Sequence, residues 1–475
     1  MAFNRALPGL HTYLGNVGDV GSAAHVELLR VLSESGGRTV VRIPVVVLLD
    51  HVFFPGENIP LTFDHDDRGD ARLAFEACMA AEPHLRGLFG VFTVYRDQSR
   101  FDLGTLAEIR QFTRGDSRGD GDDARMSLVA RGCLRFTIRD ETEFMRRVMD
   151  EAHFRGVAHA PTFPDVEVVV HAEPPVAARR GPPRGTFGVS GAPLTPHSAA
   201  VYGMFDAHGL ADRLRESPVL TLVCGEARDD GFVDDDVGTD PVAVPRDPVA
   251  LSYWVAARLP IPTRVRARLL GANDAVDRLR LELKLVSSRR VRIDRDAEVR
   301  CRACELLLTS LGGLVAMSRE GASGMYVNPH GIVHDMITVE GVLDGRVRLE
   351  GEPETAHSWF PGFAWTACFC ARCDSHLGWR FTPAGNTTTR SDERSGDGGA
   401  RDGGDETSAS SFFGLSRASV VVDTERPYVS WDASDSDSDP ESDDERDGDG
   451  TEGATQMLEE NPAAEQLAME TNDVM

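Results

Sequence analysis

HSWFPGFAWTACFCARCDSHLGW, residues 357–379, carries three of the chain's five tryptophans and three of its eight cysteines. Its Cys370-Ala-Arg-Cys373 run is a C-x-x-C knuckle, and Cys301-Arg-Ala-Cys304 upstream is a second. Each knuckle puts two thiolates on one tight turn, and two knuckles complete a tetrahedral Cys₄ zinc site. Short zinc ribbons separate their knuckles by about 15–20 residues; here 65 residues intervene. One structural zinc would therefore staple the ends of a whole β-domain. Four thiolates leave the metal no open position for a catalytic water. Cys368, two residues before Cys370, is left over.

The tryptophans admit two readings. Trp359, Trp365 and Trp379 can be ordinary core, or the walls of a small-ligand cage. Trp359 precedes Phe-Pro-Gly, so it lies near a turn, and polar residues flank the set: His357, Ser358, Asn328 and His330. No acid–base pair and no nucleophile with a partner stands among them, so no catalytic residue is assigned. Indole walls with a few hydrogen-bonding groups describe a pocket for a small, largely apolar molecule.

Working outward, 475 residues suffice for two or three domains, and 41% hydrophobic with 27% charged residues is a globular composition. The net charge is −26, of which residues 422–475 hold −16. A modestly acidic body with an acidic tail lacks the basic footprint that nucleic-acid binding needs. The longest apolar runs, such as residues 45–49, are too short to span a bilayer, and MAFNRALPGL does not read as a signal peptide. A reducing compartment is expected, where paired cysteines favour metal over disulfide. The chain has 49 arginines and a single lysine, Lys284, within a helical pattern. A P-loop or a lysine-based nucleophile is thereby disfavoured.

LPGLHTYLG (residues 7–15) stands out in an N-terminal extension, residues 1–38. From Thr39 the pattern is mostly short strands around one helical run, ARLAFEACMAAEPHL, which predicts an α+β or barrel-like domain. Residues 173–196 are rich in Pro and Gly and read as a linker. Helices broken at prolines follow, within about residues 196–288. The last has Asn273-Asp274 as its N-cap and Val276, Leu279, Leu283 and Val286 as its apolar face. Strand-like alternation returns over residues 296–423, interrupted by a Gly/Asp/Ser insertion at about 384–410 expected to be disordered. Residues 424–475 read as a disordered acidic tail, in which Ser434, Ser436, Ser438 and Ser442 lie among acids.

CRAC, YVNPHGIVHD (residues 326–335) and HSWFPGFAWTACFCARCDSHLGWRF (residues 357–381) together resemble the thalidomide-binding (CULT) domain of the cereblon family, a zinc-bound all-β tent. The resemblance extends to LPGLHTYLG, FFPGENIPL, GTLAEI and RGCLRF, which resemble that family's Lon N-terminal-like domain. HSAAVYGMFDAHGLADRL and ALSYWVAARLPIPTRVRARLL resemble its helical segment, and FFGLSRASVVV its last strands. The fold class it implies is α+β multidomain. A Lon N-terminal-like β domain (39–288) would carry an inserted helical bundle, and the CULT domain (296–423) and tail would follow.

The function implied is non-enzymatic: the substrate-recognition subunit of a cullin-4 RING E3 ubiquitin ligase, cytoplasmic and nuclear. The helical segment would dock the adaptor, DNA damage-binding protein 1. The cage would bind a thalidomide-like ligand, or a protein ending in a cyclic imide formed from Asn or Gln. Carried over by motif, Trp359, Trp365 and Trp379 would wall the ring above Phe381. Backbone groups at His357 and Trp359 would pair with the imide, and Asn328 and His330 would lie on the loop that closes over it. Zinc would be held by Cys301, Cys304, Cys370 and Cys373. Neither nucleic acid nor membrane is an expected partner. Ile332 stands where the family has tyrosine, Ala356 where glutamate is common, and Asp374 where a small residue is usual. The competing readings are a β-tent methionine sulfoxide reductase using Cys368, and a small-molecule binder without a ligase role.

Overall fold

Seven strands form the first sheet: β1 (Gly18–Asp19), β2 (Arg38–Leu49), β3 (Asn58–Phe63), β4 (Leu88–Val94), β5 (Gly104–Thr113), β6 (Met126–Ile138) and β7 (Thr162–His171). Their order is β1-β5-β4-β2-β7-β6-β3, and an added β5–β6 pairing closes β5-β4-β2-β7-β6 into a barrel. Strand β2 explains why the sequence reads VVVLL rather than an alternation. Ile43, Val45 and Val47 face one core with Leu28, Phe92 and Phe136, while Val46 and Leu48 face another with Phe53, Phe75 and Phe89. A strand buried on both faces has no polar side to show. Pro44, which cannot donate to the ladder, sits at the register shift between β2 and β7. Gly90 and Gly104 leave room for the Phe136 ring, which a side chain at either position would strike. The Pro-Gly turn read in FFPGENIPL carries Gly56 at φ +91°, a backbone region that disfavours other residues.

The computed structural model describes residues 12–14, 18–19, 24–63, 70–95, 102–113, 126–150, 161–176, 201, 203–224, 244–287, 293–317, 321–384 and 411–422. All belong to one unit, Met1–Glu425; Arg426–Met475 forms the other and lies outside the described residues. The expected linker beyond residue 176, the insertion from residue 385 to 410, and the tail with Ser434, Ser436, Ser438 and Ser442 also lie outside them. No helix of the described residues is long and apolar enough to cross a membrane.

The helical segment comprises Ala207–Arg215, Pro218–Cys224, Pro248–Arg258, Thr263–Leu270 and Ala275–Ser287. Asp206 and Asp247 cap the first and third by accepting hydrogen bonds from the His208 and Ala250 N–H groups. Asp274 does the same for Asp277 at the last helix, as its sequence indicates. The buried face of that helix differs from the expected one. Leu279 and Leu283 are buried, but their companions are Arg278 and Glu282 rather than Val276 and Val286.

Arg278 is fully buried because its charge is met. It donates to Glu173 at 2.9 Å and to the Ser252 hydroxyl at 2.9 Å, and lies 3.6 Å from the centre of the Tyr253 ring. Glu173 also takes the Tyr253 hydroxyl at 2.6 Å and pairs with Arg135 of β6 at 3.0 Å. Arg135 donates in turn to the carbonyls of Leu270 and Ala272. This network ties the helices to the barrel.

The remaining strands are β8 (Glu298–Cys301), β9 (Leu307–Ser310), β10 (Ser323–Val327), β11 (Val333–Val339), β12 (Val347–Glu354), β13 (Phe363–Cys370), β14 (His376–Pro383), β15 (Phe412–Ser416) and β16 (Val420–Val422). They form a three-stranded sheet, β16-β8-β9, and a six-stranded antiparallel sheet, β10-β11-β15-β14-β13-β12. The expected class, α+β with a helical segment beside a β-barrel and an all-β domain bearing four cysteines, is the one observed. The β10–β11 hairpin reaches back to the barrel: Met325, Val327 and Val333 join the Phe53–Phe75–Phe89 core. Asp335 of β11 pairs with Arg266 at 2.7 Å and with Arg417 at 3.4 Å.

Candidate metal centre and aromatic cage

The two knuckles close on each other. Cys301 ends β8 and Cys370 ends β13, and the four sulfurs of Cys301, Cys304, Cys370 and Cys373 lie within 4.8 Å of one another. Cys301 Sγ is 3.6 Å from Cys373 Sγ, and Cys304 Sγ is 3.5 Å from Cys370 Sγ. Four thiolates about 2.3 Å from a tetrahedral zinc would sit roughly 3.8 Å apart, so the donor set and spacing fit that ion.

Each turn is closed by its backbone. Glu305 N–H donates to Cys301 O and Asp374 N–H to Cys370 O, at 2.8 and 2.9 Å. These two residues stand at φ +57° and +59°, the left-handed region that ends a knuckle. Asp374, unusual at this place, pairs with Arg348 at 2.6 Å. Burial pushes the Cys301 thiol up to about 12. A thiolate there would need a cation beside it, so a metal bound at these four sulfurs would displace protons and hold the two knuckles together. Cys368 is not one of the four. It is fully buried on β13, and burial pushes its thiol up to about 12. Such a thiol is a poor nucleophile.

The aromatic residues collect on the neighbouring face. Trp359 and Trp379 meet edge to face, ring centres 4.8 Å apart at 77°. Phe381 lies beneath, 6.4 Å from Trp359 and stacked on Phe412 at 5.0 Å. Trp365 is half-buried and packs against the same cluster, and strand register places it opposite Phe381. Two indoles are fixed by hydrogen bonds: Trp359 Nε1 donates to Val327 O at 2.9 Å, and Trp365 Nε1 to Ala356 O at 2.8 Å. His357, exposed at φ +57°, turns the chain into Trp359.

Of the two expected loop residues, Asn328 holds the turn together. Its side-chain oxygen accepts from the N–H groups of His330 and Ile332, at 3.1 and 2.9 Å, and so builds the β10–β11 turn. His330 is half-buried beside it.

Several residues of the cage were not anticipated. His334 of β11 lies 5.0 Å from Trp379 and 5.4 Å from Trp359, and its buried Nε2 has no hydrogen-bond partner among the described residues. Burial, with smaller contributions from His376 and His51, lowers its pKa to about 3, so the ring is neutral. Tyr326 stacks on Trp359 at 5.4 Å. Tyr13, from the distinctive N-terminal motif, reaches the site, its hydroxyl accepting from Val327 N–H at 2.9 Å. The alternation in VHDMITV could have placed His334 and Met336 on one face; nothing local could have placed Tyr13.

Comparison with known proteins agrees with this geometry. The chain is 28% identical over 399 residues to the protein cereblon of Xenopus tropicalis, covering 80% of each. It is 27% identical over 404 residues to that of Danio rerio, covering 80% of this chain and 83% of the relative. With the Drosophila melanogaster protein it shares 34% identity over 138 residues, 22% of that relative's length. The N-terminal domain of Mycobacterium avium complex Lon protease matches 52% of this chain and all of its own, at 18% identity and a TM-score of 0.28. No protein-family model matches the chain.

Proposed function

We propose that the chain, 26–28% identical over 80% of its length to proteins named cereblon, belongs to that family and is the non-catalytic substrate receptor of a cullin-4 RING ubiquitin ligase. In this reading the ligand is an uncharged cyclic imide: a glutarimide, a thalidomide-like molecule, or the cyclised C-terminal Asn or Gln of a protein marked for ubiquitination and proteasomal degradation. Zinc at Cys301, Cys304, Cys370 and Cys373 is structural. Residues 39–288 and 296–423 act as two functional domains, the helices within 196–288 docking the adaptor, DNA damage-binding protein 1. Such a receptor works in the cytoplasm and nucleus.

The observation that carries the reading is the Trp359–Trp379–Phe381 cage, with Trp365 beside it, on a sheet held by four cysteines. A five- or six-membered imide has flat apolar faces and one N–H between two carbonyls. Its faces suit indole walls, and its polar edge requires partners once out of water. The Trp359 backbone N–H has no hydrogen-bond partner among the described residues, and the neutral His334 Nε2 is a second group available inside the wall. The walls of the cage are uncharged rings, and the acids Glu350, Glu352 and Glu354 of its sheet stand on the exposed outer strand, which suits an uncharged ligand. The burial of Cys368 favours this reading over redox catalysis.

The test is a fluorescence titration of the full chain with a peptide ending in a cyclic imide, beside the same peptide ending in open-chain Gln. The imide alone should quench the tryptophans, and Trp365→Ala should weaken its binding at least about tenfold. Equal responses to the two peptides would reject the reading. Pull-down of the adaptor with the full chain, and its loss on charge reversal within 203–224, tests the ligase assignment separately.

A further inference from the structure

Strand β12 borders the cage and is the outermost strand of its sheet. Every residue from Arg348 to Glu354 is exposed. Three of them are Glu350, Glu352 and Glu354, and no Lys or Arg occurs from Leu349 to Ala371. Register decides which way these acids look. Glu350 lies opposite Ala367, which lies opposite Trp379; Glu354 lies opposite Trp365, which lies opposite Phe381. Residues aligned across a sheet share a face, so Glu350 and Glu354 share the face of the cage walls. The intervening bulge, with Gly351 at φ +85°, carries Glu352 out of the ladder.

The neighbouring positive charges are already committed or turned away. Arg348, at the knuckle end of β12, pairs with both Glu350 and Asp374. Arg380 is aligned with Thr366 and therefore lies on the opposite face, over Phe413. Glu352 and Glu354 make no ion pair among the described residues. The bulge and Pro353 also blunt this edge against strand addition, leaving side-chain charge as its means of recognition. The cage it borders independently points to a ligand, because the buried His334 Nε2 beside Trp359 and Trp379 has no hydrogen-bond partner among the described residues.

We propose that the Glu350–Glu352–Glu354 strip selects protein ends that carry Lys or Arg just upstream of the cyclised residue. This rests on the imide reading above and names its substrate class. Strands lie about 4.8 Å apart, so the strip is one to two strand spacings, roughly 5–10 Å, from the cage walls. An extended peptide covers that in about two to four residues. The basic side chains therefore belong at the second to fourth positions before the imide.

Three peptides sharing one cyclic-imide end, with basic, neutral or acidic residues at those positions, test this against the full chain. At low ionic strength the basic peptide should bind about threefold to tenfold tighter than the neutral one, and the acidic one weaker still. The spread should shrink at about 0.5 M salt. In the triple variant Glu350→Gln, Glu352→Gln, Glu354→Gln the ranking should collapse, while free glutarimide binds as to the unaltered protein, which also reports that the variant is folded. Equal affinities for the three peptides, or a ranking unchanged in the variant, would overturn this inference and leave the imide reading standing. Failure of free glutarimide to bind the unaltered chain would overturn both.

Discussion

The joint between barrel and helices and the aromatic cage are both buried, but they deal with polar groups in opposite ways. The joint is full of charge: Arg135, Glu173 and Arg278 in one network, Arg266, Asp335 and Arg417 in another. The rings of the cage carry none, burial lowering the pKa of both His334 and His376, and the acids beside it, Glu350 and Glu354, stand on the exposed edge strand. The joint uses ionic geometry to fix how elements meet, a role in which a lost partner is costly. The cage relies instead on packed rings beside the four clustered cysteines. One region is held by ion pairs, the other by packed rings.

Breaking the metal centre should separate the two most sharply. Structural zinc contributes about 10 kcal/mol or more to small domains. Cys301→Ser, or a strong chelator, should abolish the cooperative unfolding of the cage domain and its tryptophan near-UV signal. The barrel, with its own cores, should keep its far-UV strand signal. Loss of both together would mean the barrel depends on the metal.

Asp335→Ala strikes the joint where it touches the cage. It leaves Arg266 and Arg417 buried without their carboxylate, at a cost of about 3–5 kcal/mol by urea denaturation. Burial pushes Asp335 up, but Arg417 and Arg266 together outweigh it and hold the carboxyl below the usual range. A lowered folded pKa means its contribution is present above the unfolded value of about 3.9 and is lost as pH falls through the folded one. The variant should therefore show less acid dependence than the unaltered protein in that window.

Trp379→Ala should cost the cage about 2–4 kcal/mol of stability and remove imide binding, while leaving the pH dependence of the joint unchanged. Calorimetric melting and the peptide titration read the two effects separately.

The smallest effect is expected at Glu282, which is fully buried and pushed well up by burial, Arg278 offsetting this only in part. A raised acid costs stability as pH rises from the unfolded value towards the folded one, by about 1.4 kcal/mol per unit. Glu282→Gln should flatten that slope, so that the variant gains on the unaltered protein as pH rises from 5 to 8. Urea midpoints at the two pH values give the answer.

What could be read in the residues, and what could not, follows the same division. The four cysteines and three tryptophans were legible because the knuckles and aromatic motifs sit in short runs with characteristic spacing. The joint was not. A helical pattern treats Arg278 and Glu282 as outward-facing, and only the distant Glu173, Ser252 and Tyr253 make Arg278 an inside residue. The β2–β7 pairing of the barrel and the contact of Tyr13 with Val327 join residues far apart in the chain. The turn-forming hydrogen bonds of Asn328 were not legible either, since they exist only once the hairpin is formed.

The central claim is that the cage reads the polar edge of an uncharged imide. Titrating the full chain with glutarimide and with N-methylglutarimide, followed by tryptophan fluorescence, tests it most directly. The account predicts saturable binding of glutarimide and at least about tenfold weaker binding of the methylated ring, which loses its one donor and gains a methyl at the recognised edge. Equal binding of the two would contradict it.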